Sequence, residues 1–158
     1  MGKMSVSYLT REGFEKLQQE LEYLRTEKRQ EVAERLHNAM EDGDAGIDND
    51  VEVEAAKNEQ AFVEGRIREL EALLANVEVV ERSNQGEVIQ IGTTVTIQED
   101  GMEKEIYTIV GTAETDPRNG RISYESPLGK ALMDHREGDV VEVNAPNGSF
   151  TIKILKVE

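Results

Sequence analysis

Seven carboxylates stand close together near the middle of the chain without a basic partner among them. No lysine or arginine occurs between Arg35 and Lys57, and the acids in that segment are Glu41, Asp42, Asp44, Asp48, Asp50, Glu52 and Glu54. Carboxylate oxygens are hard ligands that suit Mg²⁺ or Ca²⁺. A polar turn explains one or two aspartates, but seven acids without counter-charge repel one another and raise the energy of the fold. The pattern therefore predicts a functional acidic segment.

The spacing of these acids excludes a dedicated calcium-binding loop. Counted from Asp48, Glu59 occupies the twelfth position, but Val53 occupies the sixth, where such a loop needs glycine. Counts from the earlier aspartates fail at the twelfth position, which requires glutamate. The segment is thus an incomplete ligand set, of the kind that holds Mg²⁺ together with waters and phosphates. We expect another macromolecule to supply the remaining ligands.

Composition narrows the class of protein. The 158 residues include 18 basic and 33 acidic side chains, a formal net charge of −15. A DNA-binding surface or an anionic-membrane surface needs a basic face and is not expected. The chain has no cysteine, which excludes disulfides and thiolate chemistry. No apolar run approaches the roughly 20 residues of a membrane span, so we expect a cytoplasmic protein with no membrane partner.

Two apolar stripes at helical spacing flank the acidic segment. The first contains Phe14, Leu17, Leu21, Leu24, Val32, Leu36 and Ala39, with a polar interruption at Lys28. The second contains Val53, Ala56, Gln60, Val63, Ile67, Leu70, Leu74 and Val77, with Gln60 as its polar position. Thr10 is placed to cap the first helix. Steps of three and four residues predict amphipathic helices.

The two helices each have charged flanks and must bury their stripes together. The stretch Gly43–Asp50 suits a reversal of direction, so residues 1–80 are predicted to form an antiparallel coiled-coil hairpin with an acidic tip near residues 41–54. About 32 residues per arm would make it on the order of 50 Å long. The alternative is a coiled coil that joins two copies of the chain.

Residues 81–158 change to a β-rich pattern. The predicted strands are Glu87–Ile91, Thr93–Gln98, Glu105–Val110, Arg121–Tyr124, Val140–Val143 and Phe150–Val157. Asp-Gly or Asn-Gly pairs, which favour tight turns, separate several of them. One short helix, Leu128–Met133, is predicted with Ser126 as its N-cap. The fold class is therefore α+β, with a small, bent antiparallel sheet and one helix after the hairpin.

Six segments of the chain match the sequence pattern of one known family, and they are Leu9–Leu17, Gly43-Asp44, Ala55–Phe62, Glu64–Ile67, Ser126–Leu132 and Gly138–Val141. Through these segments the chain resembles the bacterial GreA-type transcript-cleavage factors over nearly its whole length. The resemblance implies that the second domain is FKBP-like and docks on RNA polymerase, while the hairpin enters the polymerase secondary channel. It also implies a monomer that is not itself an enzyme. Such a factor donates tip carboxylates to a Mg²⁺ ion shared with the polymerase and acts only indirectly on the 3′ end of the nascent RNA.

The tip departs from the pattern of the family, which is Gly-Asp-Leu-Ser/Lys-Glu-Asn-Ala-Glu-Tyr. This chain has two additional residues there, and Asp48 stands in place of the glutamate. By resemblance, Asp44 and Asp48 are the predicted catalytic acids and metal ligands. Asp50 is a third metal ligand, and Asp42 and Glu52 are reserve acids. A non-cleaving, Gre-like regulator that occupies the channel and inhibits polymerase is the alternative.

Two further sets of residues are predicted contacts. Glu125, Ser126 and Pro127 match the segment with which relatives hold the polymerase, although Ser126-Pro127 also begins a helix. Lys57 and Arg66 are predicted to contact RNA or polymerase, with pairing to neighbours on the same helix as the alternative. Prolyl isomerase activity is a poor fit, because the second domain has only Tyr107, Tyr124 and Phe150 to line an aromatic pocket.

Overall fold

The computed structural model describes residues 5–41, 47–81 and 88–158, with the backbone alone for residues 47–49. It divides into two compact units. One is Glu15–Asn76, and the other contains the described residues up to Phe14 together with Val77–Glu158. The division near residue 80 expected from sequence thus differs at the start of the chain, because strand β1 (Ser7–Thr10) pairs in parallel with strand β2 (Val77–Val80).

The first unit is a helical hairpin, as predicted. Helix α1 (Arg11–Tyr23) continues through a π-helical turn (Leu24–Lys28) into helix α2 (Arg29–Glu41), and helix α3 (Ile47–Ala75) returns. Thr10 caps α1 as expected, since its hydroxyl accepts a hydrogen bond from the amide of Gly13 at 3.0 Å. None of the helices in the described parts of the chain combines the length and the apolar character of a membrane-spanning segment.

The buried seam of the hairpin follows the predicted stripes closely. Its buried side chains are Leu17, Leu21, Leu24, Val32, Ala39, Ala56, Val63, Ile67 and Leu70. The prediction is wrong at Gln60, which is exposed, and Val77 lies in β2 beyond the end of α3. The predicted reversal at Gly43–Asp50 is too long, because α3 already begins at Ile47.

The π-helical turn has a sequence cause. Leu24 and Val32 are both buried but lie eight residues apart, one more than a two-turn heptad step. The extra residue of a π turn absorbs this excess and keeps both side chains on the seam. Lys28 lies halfway between them and is half-buried. The polar interruption seen in the sequence is therefore the position where the helix changes its winding.

In the second unit, five strands among the described residues form one sheet. They are β3 (Thr94–Glu99), β4 (Lys104–Val110), β5 (Arg121–Ser123), β6 (Val140–Ala145) and β7 (Gly148–Val157), in the order β5-β4-β3-β7-β6. Helix α4 (Pro127–Leu132) covers one face, and its Leu132 enters a core with Ile89, Ile109 and Ile154. The predicted α+β class is confirmed.

The sheet differs from the prediction in two respects. Strands β4 and β5 pair in parallel, so the sheet is mixed and not wholly antiparallel. The predicted strand Glu87–Ile91 is wrong over its described part, residues 88–91, which joins no strand. There the backbone of Ile89 bonds instead to His135 and Asp134 after α4, and its side chain is fully buried. The apolar residues of this segment therefore indicated burial correctly, but they did not indicate a strand.

Within the sheet unit, Glu114 holds the residues at the start of α1. Its carboxylate accepts hydrogen bonds from the amide of Thr10 at 2.8 Å, from the Thr10 hydroxyl and from the amide of Gly111 at 3.1 Å. The Arg121 guanidinium lies 3.5 Å from it, and only 3% of the Glu114 side chain is exposed. A Cβ on Gly13 would collide with this carboxylate. Glu114 thus holds Thr10, the N-cap of α1, beside Gly111.

Candidate functional site

The described acids of the tip are exposed, with Glu41 at the end of α2 and the others at the start of α3. Asp50, Glu52 and Glu54 are all exposed, and Asp48 has its backbone in the first turn of the helix. Asp42 and Asp44 lie outside the described residues, as does the side chain of Asp48. Acids in the first turn interact favourably with the positive end of the helix dipole. That interaction accounts for one or two of them and leaves the others without an internal role.

Among the described tip acids on α3, Glu52 alone has an ion-pair partner, and the contact is long; Glu41, at the end of α2, lies 3.2 Å from His37. The Glu52 carboxylate lies 3.9 Å from the Arg35 guanidinium, whereas Glu59 lies 2.6 Å from the same side chain. Within the described ranges, Asp50 and Glu54 pair with no basic group. They are four residues apart and share one face of α3. This face therefore presents unneutralised carboxylates to solvent.

The donor chemistry of the tip suits a hard divalent cation, but the described residues do not complete a site. Residues 5–41, 47–81 and 88–158 contain no group of three or more potential metal ligands. Asp50 contributes a carboxylate that is free to coordinate, in agreement with an incomplete set. The predicted convergence of Asp44, Asp48 and Asp50 stays a prediction, since two of the three side chains are not described.

Behind the tip, ion pairs join the two arms of the hairpin. The pairs are Glu20–Arg66, Arg25–Glu71, Arg29–Glu64, Lys28–Glu59 and Arg35–Glu59, with N–O distances of 2.6 to 2.9 Å. Lys28 and Glu59 are the least exposed of these groups and form a polar layer inside the apolar seam. From Glu20–Arg66 to Arg35–Glu59, the pairs at the two ends of the first arm, the residue number rises on one arm and falls on the other. The pairs thus establish an antiparallel register within this unit.

These ion pairs favour the charged forms of their members. A hydrogen bond from Lys28, with the charges of Lys28 and Arg35, lowers the pKa of Glu59 below its ordinary 4.5. A hydrogen bond from Arg29, with the charges of Arg29 and Arg68, lowers the pKa of Glu64 in the same way. The pKa of Lys28 is raised, first by its hydrogen bond to Glu59. A carboxyl with a lowered pKa in the folded protein stabilises the fold only while it is ionised.

We expect the hairpin to lose stability in acid because of Glu59 and Glu64. Their contribution is present above the unfolded pKa, near 4.5, and is lost as the pH falls through the lower folded values. Thermal unfolding followed by circular dichroism at 222 nm should show a decrease in Tm below about pH 4.5. The double variant Glu59→Gln/Glu64→Gln should have a lower Tm at pH 7 and a flatter pH profile, whereas Glu22→Gln, at an exposed position, should match the wild type. Equal profiles for all three proteins would contradict this origin.

The predicted polymerase-contacting residues are consecutive: Glu125 and Ser126 lie in the turn after β5, and Pro127 begins α4. Ser126 caps α4 as expected, accepting a hydrogen bond from the Gly129 amide at 3.0 Å. Glu125 and Pro127 are exposed. The Glu125 carboxylate accepts hydrogen bonds from the Thr112 hydroxyl at 2.9 Å and from the Tyr124 hydroxyl at 3.2 Å. This segment therefore presents an acid, whose carboxylate is oriented by two hydrogen bonds, next to an exposed proline.

Tyr124 links this turn to the N-terminal strand. Its ring meets that of Tyr8 edge to face, with centroids 6.0 Å apart. Burial, followed by the hydrogen bond to Glu125, raises the pKa of Tyr124. The hydroxyl thus remains protonated and continues to donate to Glu125 at neutral pH. The sequence-based reading of Glu125, Ser126 and Pro127 did not include this supporting contact, because Tyr8 is far away along the chain.

Comparison with known families decides the class of the protein. The family model "Transcription elongation factor, N-terminal" matches residues 7–79, and "Transcription elongation factor, GreA/GreB, C-term" matches residues 83–158. The chain belongs to the GreA/GreB family of transcription elongation factors. The resemblance inferred from the sequence is therefore confirmed at the level of the family.

Similar members of the GreA/GreB family match almost end to end. Transcription elongation factor GreA of Thermomicrobium roseum is 49% identical over 95% of this chain and 96% of its own length. The GreA of Halalkalibacterium halodurans is 46% identical over 99% of both. Among solved structures, the GreA factor homolog 1 (Gfh1) of Thermus thermophilus is 35% identical, covers 98% of this chain and 99% of its own, and has a TM-score of 0.46.

The two basic residues that were predicted to contact RNA or polymerase, Lys57 and Arg66, differ in their surroundings. Arg66 is held by Glu20 across the hairpin at 2.8 Å and by Glu69 on its own helix at 3.0 Å. These bonds raise its pKa, with the hydrogen bond to Glu20 as the first cause. Lys57 is exposed on α3, and no carboxylate in the described part of the chain pairs with it. Lys57 is thus the better candidate for an external contact, and Arg66 serves the hairpin.

Proposed function

We propose that this elongation factor binds RNA polymerase through its secondary channel and stimulates hydrolysis of backtracked RNA. The observation that carries the proposal is the set of exposed, unneutralised acids at the start of α3, next to a hairpin whose other charges are mostly paired. Charges inside the hairpin stabilise its register, whereas Asp50 and Glu54 have no such role. Acids without an internal partner are available to a ligand that the chain itself does not contain.

In this proposal, the protein is a helper of the polymerase and not an enzyme by itself. Asp44 and Asp48 hold the shared Mg²⁺ and orient the attacking water, with Asp50 as a third ligand and Asp42 and Glu52 in reserve. Two-metal hydrolysis uses such an ion to activate the water or stabilise the leaving oxygen. The acidic segment contains no lysine or arginine that could bind phosphate, which agrees with a role in binding a cation.

The second unit supplies the docking surface in the same proposal. Glu125, Ser126 and Pro127 contact the outer mouth of the channel, and the hydrogen bonds to Glu125 orient its carboxylate before binding. Because that carboxylate already accepts two hydrogen bonds, little conformational freedom is lost on docking. Lys57 lies along the arm, where it contacts RNA or polymerase. The factor acts as a monomer in the cytoplasm.

A cleavage assay tests the proposal directly. Stalled, backtracked polymerase complexes with labelled RNA are mixed with the wild-type factor and Mg²⁺, and the RNA length is followed on a gel. We expect shorter RNA to form many-fold faster than without the factor, and the factor alone to leave the same RNA intact. Binding of the factor to polymerase without any shortening would contradict cleavage stimulation.

The unusual tip supports one alternative. It is two residues longer than the family pattern and has Asp48 in place of a glutamate, so its acids could occupy the channel without completing the metal site. A factor of that kind slows nucleotide addition and leaves backtracked RNA intact. The same complexes, supplied with nucleotides instead, distinguish the two functions.

A further inference from the structure

Phe62 is an aromatic side chain that does not pack in the buried seam of the hairpin. It lies on α3 beside the buried Val63, yet 74% of it is exposed, more than for any other large apolar residue in the described part of the chain. The helix has turned this ring away from the seam. Because exposed aromatic surface is unfavourable in water, a ring at this position gains much from being covered.

Gly65 lies one turn further along the same face, and no contact inside the hairpin requires a glycine at this position. A Cβ at Gly65 would meet nothing within 4 Å, and its backbone is helical. Elsewhere the fold does need its glycines, since a Cβ on Gly111 would collide with the carbonyl of Tyr8 and one on Gly129 with the carbonyl of Ser123. Glycine inside a helix is less favourable than alanine. The bare backbone at Gly65 therefore leaves room for something outside the hairpin.

The same face continues as an apolar strip toward the tip. Val51 and Ala55 precede Phe62 at helical spacing, and Val51 is 60% exposed. The exposed Asn58 lies on the same face between Ala55 and Phe62. The charged neighbours Glu59 and Arg66 are already neutralised by ion pairs within the hairpin. The strip is thus an apolar surface that is bordered by paired charges near Phe62 and, among the described residues, by the unpaired Glu54 near Val51, which suits contact with a protein.

Charge and distance indicate the partner. Residues 15–76 contain 17 acidic and 8 basic side chains, a net charge of −9, so the complementary surface is basic around an apolar pocket. Phe62 follows Asp50 by about twelve helical residues, or roughly 18 Å. A partner that encloses the tip acids in a channel must therefore have walls beside Phe62 as well.

We infer that Phe62 and Gly65 form an anchor for RNA polymerase: the Phe62 ring enters an apolar pocket in the channel wall, and Gly65 allows the wall to touch the helix backbone. This inference rests on the proposed function. It assigns affinity to the middle of the arm, separate from the acids at its tip and from the turn at Glu125. A well-enclosed aromatic anchor of this kind dominates the binding energy of an interface.

The test compares binding of fluorescently labelled factor to purified polymerase. Phe62→Ala should weaken binding by about tenfold or more. Gly65→Ala should also weaken binding several-fold, yet raise the Tm of the free protein by roughly 2–4 °C, because alanine favours the helix. Tyr23→Ala removes another exposed aromatic of the hairpin and should bind within twofold of the wild type.

For Gly65→Ala we expect the affinity to fall and the Tm to rise. This combination distinguishes a residue at an interface from one with a purely structural role. The anchor is refuted if Phe62→Ala binds as tightly as the wild type, or if Gly65→Ala gains stability without losing affinity. Neither result contradicts the proposed function, which the cleavage assay tests separately. A wild-type factor that fails to bind polymerase refutes both. A wild-type dimer that Phe62→Ala converts to a monomer in sedimentation would show that a second copy covers the strip, and would also overturn the inference.

Discussion

Asp44→Asn is expected to slow the shortening of backtracked RNA by about 10²-fold, equivalent to roughly 2.7 kcal/mol of transition-state stabilisation. Asparagine keeps the size of the side chain and removes the negative charge that a Mg²⁺ ligand needs. Loss of one metal ligand disturbs both the position of the ion and the activation of the water. The rate is measured at saturating factor, so that any change in affinity does not contribute.

The matched control is Glu34→Gln, which removes one charge from an exposed acid of α2 outside the acidic tip. It should leave the rate within about twofold, because a single exposed charge contributes little at moderate salt. Asp48→Asn should resemble Asp44→Asn if the two acids act together. If Asp44→Asn retains full activity, Asp44 is not a metal ligand. Its alignment with the first acid of the family pattern would then not predict its role.

Glu114→Ala is expected to destabilise the sheet unit by about 3–5 kcal/mol. The substitution leaves the amides of Thr10 and Gly111 without their acceptor and Arg121 without its nearby carboxylate. A shift of this size corresponds to a decrease in Tm of roughly 6–20 °C for a chain of this length. Differential scanning calorimetry of the full chain measures it.

Glu142→Ala provides the comparison, since Glu142 is an exposed acid on strand β6. Its Tm should change by no more than about 2 °C, as for most surface substitutions. Glu114→Gln keeps one acceptor oxygen and should fall between the two. A Glu114→Ala protein as stable as Glu142→Ala would mean that water satisfies the Thr10 and Gly111 amides.

Local signals in the sequence predicted much of the fold. Apolar residues at steps of three and four marked the seam from Leu17 to Leu70, and Thr10 and Ser126 were correctly assigned as caps. These features depend on residues a few positions apart. Strands β1 and β2 were missed because each has only four residues and its partner is distant. The Glu114 contacts with Thr10 were missed for the same reason, since nothing local distinguishes this glutamate from an exposed one.

The candidate site was predictable in composition and less so in geometry. The absence of basic residues between Arg35 and Lys57 pointed to the tip, and the described acids there are exposed. Sequence spacing could not tell that Arg66 bonds to Glu20 across the hairpin, because that contact depends on the register of two helices. It also gave no sign that Phe62 faces solvent, since an aromatic residue beside a seam position is equally compatible with burial.

The pairing of β1 with β2 implies an order of events during folding. The two strands are on the order of 70 residues apart, and closing such a loop in a disordered chain is entropically unfavourable. Helices form early through neighbouring residues, so zipping of α1, α2 and α3 brings Thr10 and Val80 together before the strands join. As the ribosome releases the chain from its N-terminus, the residues of β1 emerge first and have no β2 to pair with until the whole hairpin has emerged. We therefore expect substitutions that loosen the seam to prolong this vulnerable interval and to increase misassembly, even where the finished protein tolerates them.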